Sequence, residues 1–433
     1  MSHGLGAGLV AALGAAVITI PVAAQEAKVF VLTPPEVILT GVKKLAILDL
    51  ASDGDYGPTF SGYLIEHLMD RERGIHELKT GFLGAGGAKR GETLQEGAVT
   101  NVFELVERSR LAQVLNEQRL GSSGIVEESQ AAQVGKILGV DAVIMGNLAI
   151  TRADKPERRQ YTSEGRTYLV NCVKREVNVA ARVRITDVET ATILGSAERS
   201  RSGKSEKCEP RLADLVPTAE LVNQAAREAA ADVADYVAPR FELREFGLRR
   251  IRGKETEALA KRAGDAAEAL RVDEAFVIYK SLYDKDPYMP ELAYNLGILS
   301  EMVGNQTEAA EYYSAACQLK DEKDCRKAVE RTTHAAAFQE SLTALGVRIA
   351  QHEFGVTAEA LARATARNLE TRGNREDRVT VFAEPREGSE VMTAVPGGLT
   401  FQIAAEEGEW YRIRLLGGKE GYVHRDKVKV KDK

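Results

Sequence analysis

Enzymatic chemistry needs a nucleophile beside a base, paired carboxylates or a metal cluster within reach. The residues that could supply these are scattered along this chain. Its histidines, His3, His67, His76, His334, His352 and His424, form no HExxH pair and no metal-ligand spacing. Asp49, Asp53 and Asp55 follow an apolar strand, at the end where open α/β sheets often place ligands. Gly57 comes next, without the third acid or the distal glutamate of a calcium loop. The three read as solvated loop carboxylates, with a ligand role as the alternative. Gly81, Gly84, Gly86, Gly87 and Gly91, with Lys89 and Arg90, invite a phosphate-loop reading. The Gly-Lys-Ser/Thr ending, the preceding strand and the following helix are all missing. Residues 71–98 therefore read as a flexible insertion. Gly121-Ser122-Ser123-Gly124 follows a helical pattern and lacks the spacing of a nucleophile elbow, so it reads as a turn. The expectation is a protein that is not an enzyme and holds no cofactor or metal.

Two cysteine pairs and a few aromatics are left. Cys172 and Cys208 flank an expected hairpin that turns near residues 188–190, and they lie symmetrically about residue 190. Opposite positions of that kind are within reach of a bridge. Cys317 and Cys325 would stand roughly 12 Å apart on one continuous helix, too far to bond. They can pair only if the chain turns at the polar residues 320–323. Four free buried thiols are the alternative for both pairs. Trp410, Tyr411 and Tyr422 could form a recognition surface, or they could fill a small core.

The elements that must carry these residues follow from periodicity. The 433 residues leave room for two to four domains. Apolar content of 44% and charged content of 28% are ordinary for a globular protein. The net charge of −6 gives no reason to expect nucleic-acid binding. Residues 5–24 are apolar and end in Val22-Ala23-Ala24, which fits a cleaved export signal. No Lys or Arg stands before the run, only His3, and a retained anchor is the alternative. Residues 45–50 read as a buried strand, and a helix after Pro58 carries Phe60, Leu64 and Leu68 on one face. Residues 102–106 read as a strand, 109–120 and 131–138 as helices, and 142–150 as a strand covered on both sides. Residues 151–174 are polar and highly charged. Val177, Val179, Ala181, Val183 and Ile185 alternate with polar or small residues, as in a half-buried strand. Residues 191–200 return from it. A helix from Thr218 then carries Val222, Ala225, Ala229, Val233 and Tyr236, which closes a first domain near Pro239.

Two motifs in this region, FELVERSRLAQVLNEQRL and GKILGVDAVIMGNL, resemble the CsgG family of bacterial envelope proteins in order and spacing. The strand KKLAILDL fits the same pattern. The resemblance implies a mixed sheet with packed helices and an envelope setting. CsgG-like and LpoB-like proteins are commonly lipoproteins, but no cysteine stands near the cleavage site here. Further on, Ala275 and Tyr279 recur as Ala309 and Tyr313, 34 residues later. With Leu296-Gly297 and Gly304 between them, they resemble the tetratricopeptide repeat. In such repeats Tyr294, Ile298 and Glu301 would face a concave, partner-binding groove. Residues 324–348 read as a capping helix. The last stretch has short alternating strands with Gly and Pro turns, and resembles the bacterial SH3-like domain. Glu409-Trp410-Tyr411-Arg412-Ile413 and Gly421-Tyr422-Val423 stand at its signature strands.

The expected architecture is therefore multidomain. A signal peptide (1–24) precedes a CsgG-like α/β domain (25–240), a tetratricopeptide-like helical region (241–350), a helix and linker (351–377) and an SH3-like barrel (378–433). The expected function is a non-enzymatic scaffold or regulator of wall or surface assembly in the periplasm or cell envelope. Its expected partners are envelope proteins, with peptidoglycan as a further candidate ligand, no nucleic acid, and homo-oligomerisation left open. The alternative is a subunit of a CsgG-like secretion pore. The charged residues Arg152, Asp154, Lys155, Glu157, Arg158 and Arg159 oppose it, because they leave no apolar band.

Overall fold

The computed structural model describes residues 25–79, 88–106, 136–253, 256–344 and 346–431. The signal segment, the 109–120 helix, most of the 131–138 helix, the 121–124 turn and the glycines at 81, 84, 86 and 87 lie outside the described residues. No helix among the described residues is long and apolar enough to cross a membrane.

Alternation builds the first layer. Strand β1 (Glu26–Thr33) precedes β2 (Lys44–Ile47) and helix α1 (Tyr56–Met69). Two short strands, β3 (Glu77–Lys79) and β4 (Ala88–Arg90), pair with each other, and β5 (Glu104–Leu105) follows. Strands β6 (Ala142–Ser163), β7 (Arg166–Asp187) and β8 (Ile193–Cys208) then form an antiparallel meander. The sheet order is β5-β2-β6-β7-β8, with β2 parallel to both of its neighbours. Leu45, Ile47, Ile144 and the odd-numbered run Val177 to Ile185 bury one face. Phe60, Leu64 and Leu68 of α1 pack there with Val222, Ala225, Ala229 and Val233 of α2 (Thr218–Val237). The buried guanidinium of Arg73 donates to the carbonyls of Ala234, Ala238 and Pro239, tying the end of α2 to the loop after α1. Burial pushes its pKa below the ordinary arginine value, and Asp235 at 3.2 Å opposes that shift.

The charged stretch 151–174 forms the outer halves of β6 and β7. Each strand has 22 residues, about 70 Å at ~3.3 Å per residue. They stay in register from Ala142↔Asp187 to Ser163↔Arg166. The two-residue turn Glu164-Gly165 has positive φ at both positions, 52° and 74°, and so matches the strand twist.

After Pro239 the chain continues as β9 (Arg240–Gly247), not as a helix, and β9 pairs antiparallel with β1 along its whole length. This corrects the expected start of the helical region at 241. The β1–β9 ribbon is shared by two cores. Phe30, Leu32 and Phe241 point into the α/β core, while Ala27, Val29, Val31 and Phe246 point into the helical core. A period of two puts successive side chains on opposite faces, so one ribbon joins both bodies.

The helices α3 (Glu257–Glu268), α4 (Val272–Lys285), α5 (Pro290–Met302) and α6 (Gln306–Leu319) form two hairpins, and α7 (Lys323–Ala344) lies against α6. Ala275, Tyr279, Ala309 and Tyr313 are all buried. A Cβ added at Gly297 would meet the Tyr313 ring at 2.8 Å, which is why a glycine stands at this helix contact.

Residues 346–357 run back over the helices, and α8 (Ala358–Thr365) follows. The C-terminal sheet then opens with β10 (Asn368–Thr371), ten residues before the expected barrel start. With β11 (Arg378–Phe382), β12 (Val391–Pro396), β13 (Thr400–Glu407), β14 (Trp410–Arg414), β15 (Glu420–His424) and β16 (Val428–Lys431) it makes seven strands. Their order is β12-β11-β15-β14-β13-β10-β16. Leu369, Val381, Ile413 and Val423 are fully buried in its core. Local pattern could not place β10, because its partners β13 and β16 lie far along the chain.

Candidate binding surfaces

The helical groove is filled by the chain's own residues. The side chain of Asn295 accepts from the Arg249 backbone N–H at 2.8 Å and donates to its carbonyl at 2.9 Å. The Arg249 guanidinium lies 3.7 Å over the Tyr294 ring. Glu301 is 1% exposed and takes both oxygens to Arg331 at 2.7 Å, one to Arg244 at 2.5 Å, and a 2.8 Å hydrogen bond from the Tyr313 hydroxyl. Burial pushes the Tyr313 pKa well above its ordinary value, and the Glu301 charge adds to the shift. Gln95 reaches in from the α/β side, accepting from the Leu32 N–H and donating to the Glu301 carbonyl. The expected partner-facing role of Ile298 and Glu301 is thus corrected, since both are buried, with Glu301 held by Arg244 of β9 and Arg331 of α7. Tyr294 keeps a half-buried ring beneath Arg249.

A second stretch of chain is held in the same way. Asn305 donates to the His352 carbonyl at 2.8 Å and accepts from its N–H at 2.9 Å. Phe354 stacks on Phe276 at 3.7 Å, and the His352 ring meets Asp273 at 2.8 Å. The 346–357 strap therefore lies across the helices with its backbone and rings engaged.

On the C-terminal sheet the three expected aromatics separate. Tyr411 is buried in the barrel core with Ile413 and Val423, so of its two expected roles it fills the core and does not form a recognition surface. Trp410 lies on the other face of β14, also mostly buried, under the ring edges of Phe382 and His424 at 5.5 and 5.0 Å. Tyr422 is half-exposed beside them and donates to Glu407 at 3.1 Å. Burial and the Glu407 carboxylate both raise its pKa. Phe382, Trp410, Tyr422 and His424 form an aromatic strip on the outer face. Phe382 and His424 escaped sequence reasoning because they stand outside the signature strands or look like isolated polar residues.

The third surface is the β6–β7 arm. Near its base one face carries a ladder of ion pairs, Lys155–Glu176 at 2.6 Å, Lys174–Glu176 at 2.8 Å and Arg159 with Glu157 and Glu206 at 2.9 and 2.5 Å. Hydrogen bonds from Lys155 and Lys174 hold the Glu176 carboxyl down to about 2. The opposite face carries the Asp154–Arg175 pair, with both carboxylate oxygens engaged.

With this geometry in place, residues 94–234 match the family model of the curli production assembly/transport component CsgG, and residues 377–429 match that of the bacterial SH3 domain. The chain carries a CsgG domain and a bacterial SH3 domain. Together they indicate an envelope-associated protein. No curated protein matches the chain. Among solved structures, the hypothetical protein CT253 from Chlamydia trachomatis is similar at 12% identity. That match covers 45% of this chain and 98% of that one with a TM-score of 0.20, too low to bear on the fold. The CsgG match runs from before β5 to within α2 and leaves β1, β2 and α1 outside. The SH3 match begins beside β11 and leaves β10 outside.

On the five-stranded sheet, Asp49, which precedes the CsgG match, lines a cavity of about 570 Å³ with Met145, Asn147, Arg182, Arg184 and Glu198 of the matched region. Asp53 and Asp55 do not join it and sit exposed at the start of α1. Among the described residues, no cluster of His, Cys, Asp and Glu could hold a metal ion. Cys172 and Cys208 face each other across β7 and β8 and are bonded, with Cα atoms 3.9 Å apart. Cys317 and Cys325 are also bonded, across the turn between α6 and α7, with Cα atoms 5.7 Å apart.

Proposed function

We propose that this chain is a non-enzymatic envelope scaffold that binds protein partners and peptidoglycan during wall or surface assembly. The observation that supports this best is the ribbon whose two faces pack into the α/β core and the helical core. It joins them into one platform that carries the arm and the SH3 domain. Rigid positioning of separate surfaces is what a scaffold requires, and catalysis would instead need convergent reactive groups. The helical hairpins resemble tetratricopeptide repeats, and here they hold the chain's own segments. Partner contact then falls to the half-buried rings of Phe382, Tyr422 and His424, backed by Trp410, whose flat faces suit sugar faces or peptide side chains. The test is co-sedimentation of the purified chain with isolated sacculi, comparing the parent with Phe382→Ala and Tyr422→Ala. Binding that falls about tenfold in the variants supports the reading, on the scale of 1.4 kcal/mol. Absence of sacculus binding, together with absence of any stoichiometric envelope partner, overturns it.

A pore subunit is the second reading, and the length of β6 and β7 is what favours it. Each strand exceeds the 9–11 residues that a spanning strand needs, yet near the base of the arm both faces carry ion pairs in place of an apolar lipid face. Conductance across planar bilayers would establish that reading, and its absence would remove it.

A further inference from the structure

The end of the β6–β7 arm has a composition unlike its base. Just beyond the Cys172–Cys208 bond the third strand leaves, with Glu209 still bonded to Asn171, and residues 158–163 pair across the hairpin with 166–171. Tyr161 and Tyr168 stand directly opposite each other, 59% and 48% exposed, and Leu169 is 69% exposed. Side chains alternate across a strand, so the two tyrosines share one face and Leu169 lies on the other. Arg166 falls on the tyrosine face and Arg158 on the leucine face. Neither arginine takes part in an ion pair among the described residues. Residues 158–171 contain three arginines against one acid, Glu164 at the turn, and with Arg159 held by Glu157 and Glu206 the tip keeps Arg158 and Arg166 as its cations. The acids at the base of the arm, Asp154, Glu157, Glu176 and Glu206, are all engaged by cations of the arm itself. The tip is therefore both apolar and cationic, while the stem behind it is internally neutralised.

We infer that the tip docks end-on into an anionic lipid surface. The placement of the groups favours lipid over protein. A protein groove meeting one face would bury either the tyrosines or the leucine. Shallow immersion of the end covers all three and leaves the arginines at headgroup depth, where tyrosine and arginine both settle with a wet polar end. A two-stranded tip is also too narrow to cover the ~800 Å² per partner of a stable protein interface. Headgroup binding needs less, because the coulombic attraction of anionic lipid to arginines adds to a small apolar contact. The ion-paired stem would remain in water, so the arm would act as a spacer of fixed length between the platform and the surface. This inference does not depend on wall binding.

The experiment is co-sedimentation of the full chain with vesicles of phosphatidylcholine alone and of phosphatidylcholine with phosphatidylglycerol, in the absence of wall material. The chain should pellet with the anionic vesicles and not with the neutral ones, and added salt should weaken binding. Tyr161→Ser with Tyr168→Ser and Leu169→Ser should reduce binding about tenfold or more, since each removes an exposed apolar contact. These positions are exposed, so a circular-dichroism spectrum and unfolding midpoint equal to the parent's should show that the fold is kept. Arg158→Gln with Arg166→Gln should abolish the preference for anionic vesicles. Equal pelleting of the tip variant and the parent would overturn the inference. So would a failure of the parent to pellet, or self-association that is lost in the tip variant without any vesicle binding.

Discussion

The platform and the arm use charge in opposite ways. In the platform, Glu301 is buried and satisfied by Arg244, Arg331 and Tyr313 together. A desolvated carboxylate survives there only because every oxygen is engaged, and removing one partner strands the others. On the arm, Lys155, Glu176, Arg159 and Glu157 are paired in the open, where water and salt screen them. Buried charge locks one arrangement of helices and ribbon. Exposed charge keeps a long ribbon soluble and guards its edges from stray pairing. Similar ion pairs thus do structural work in one region and solubility work in the other.

That contrast sets the expected sizes of perturbation. Glu301→Ala should destabilise the platform by about 3–5 kcal/mol, because it leaves two arginines without their anion. Urea unfolding would measure this, and a loss below about 1 kcal/mol would break the comparison. Asn295→Ala should cost about 1–3 kcal/mol by leaving the Arg249 backbone groups unsatisfied. Proteolysis between β9 and α3 should accelerate in that variant. Lys155→Ala, on the exposed ladder, should leave the unfolding midpoint close to the parent's, because water and salt screen an exposed pair.

The smallest effect is a pH dependence. The folded Glu176 carboxyl titrates at about 2, below its ordinary 4.5. Its contribution to stability is present above 4.5 and is lost as the pH falls through about 2. A carboxyl chemical-shift titration should therefore find Glu176 still ionised at pH 3. A midpoint near 4.5 would mean that the ladder does not persist in solution.

Much of the fold could be read from local pattern. The alternation from Val177 to Ile185, the α1 stripe of Phe60, Leu64 and Leu68, and the recurrence of Ala275 and Tyr279 at Ala309 and Tyr313 all place buried residues at the right period. The arm was harder to read. Its strands lack an apolar face, so the period-two signal disappears. The candidate sites were less legible still. Glu301 looked like a groove residue because helix position sets where a side chain points, and it does not set what lands on it.

Residue periodicity, helix-length apolar stripes and the two domain signatures belong to short stretches of chain, and the order of these residues dictated them. The shared β1–β9 ribbon, the groove closed by Arg249, the β10 strand and the burial of Glu301 arise where segments far apart in the chain meet. Burial is a property of both partners in a contact, so it appears only when the folded chain brings them together.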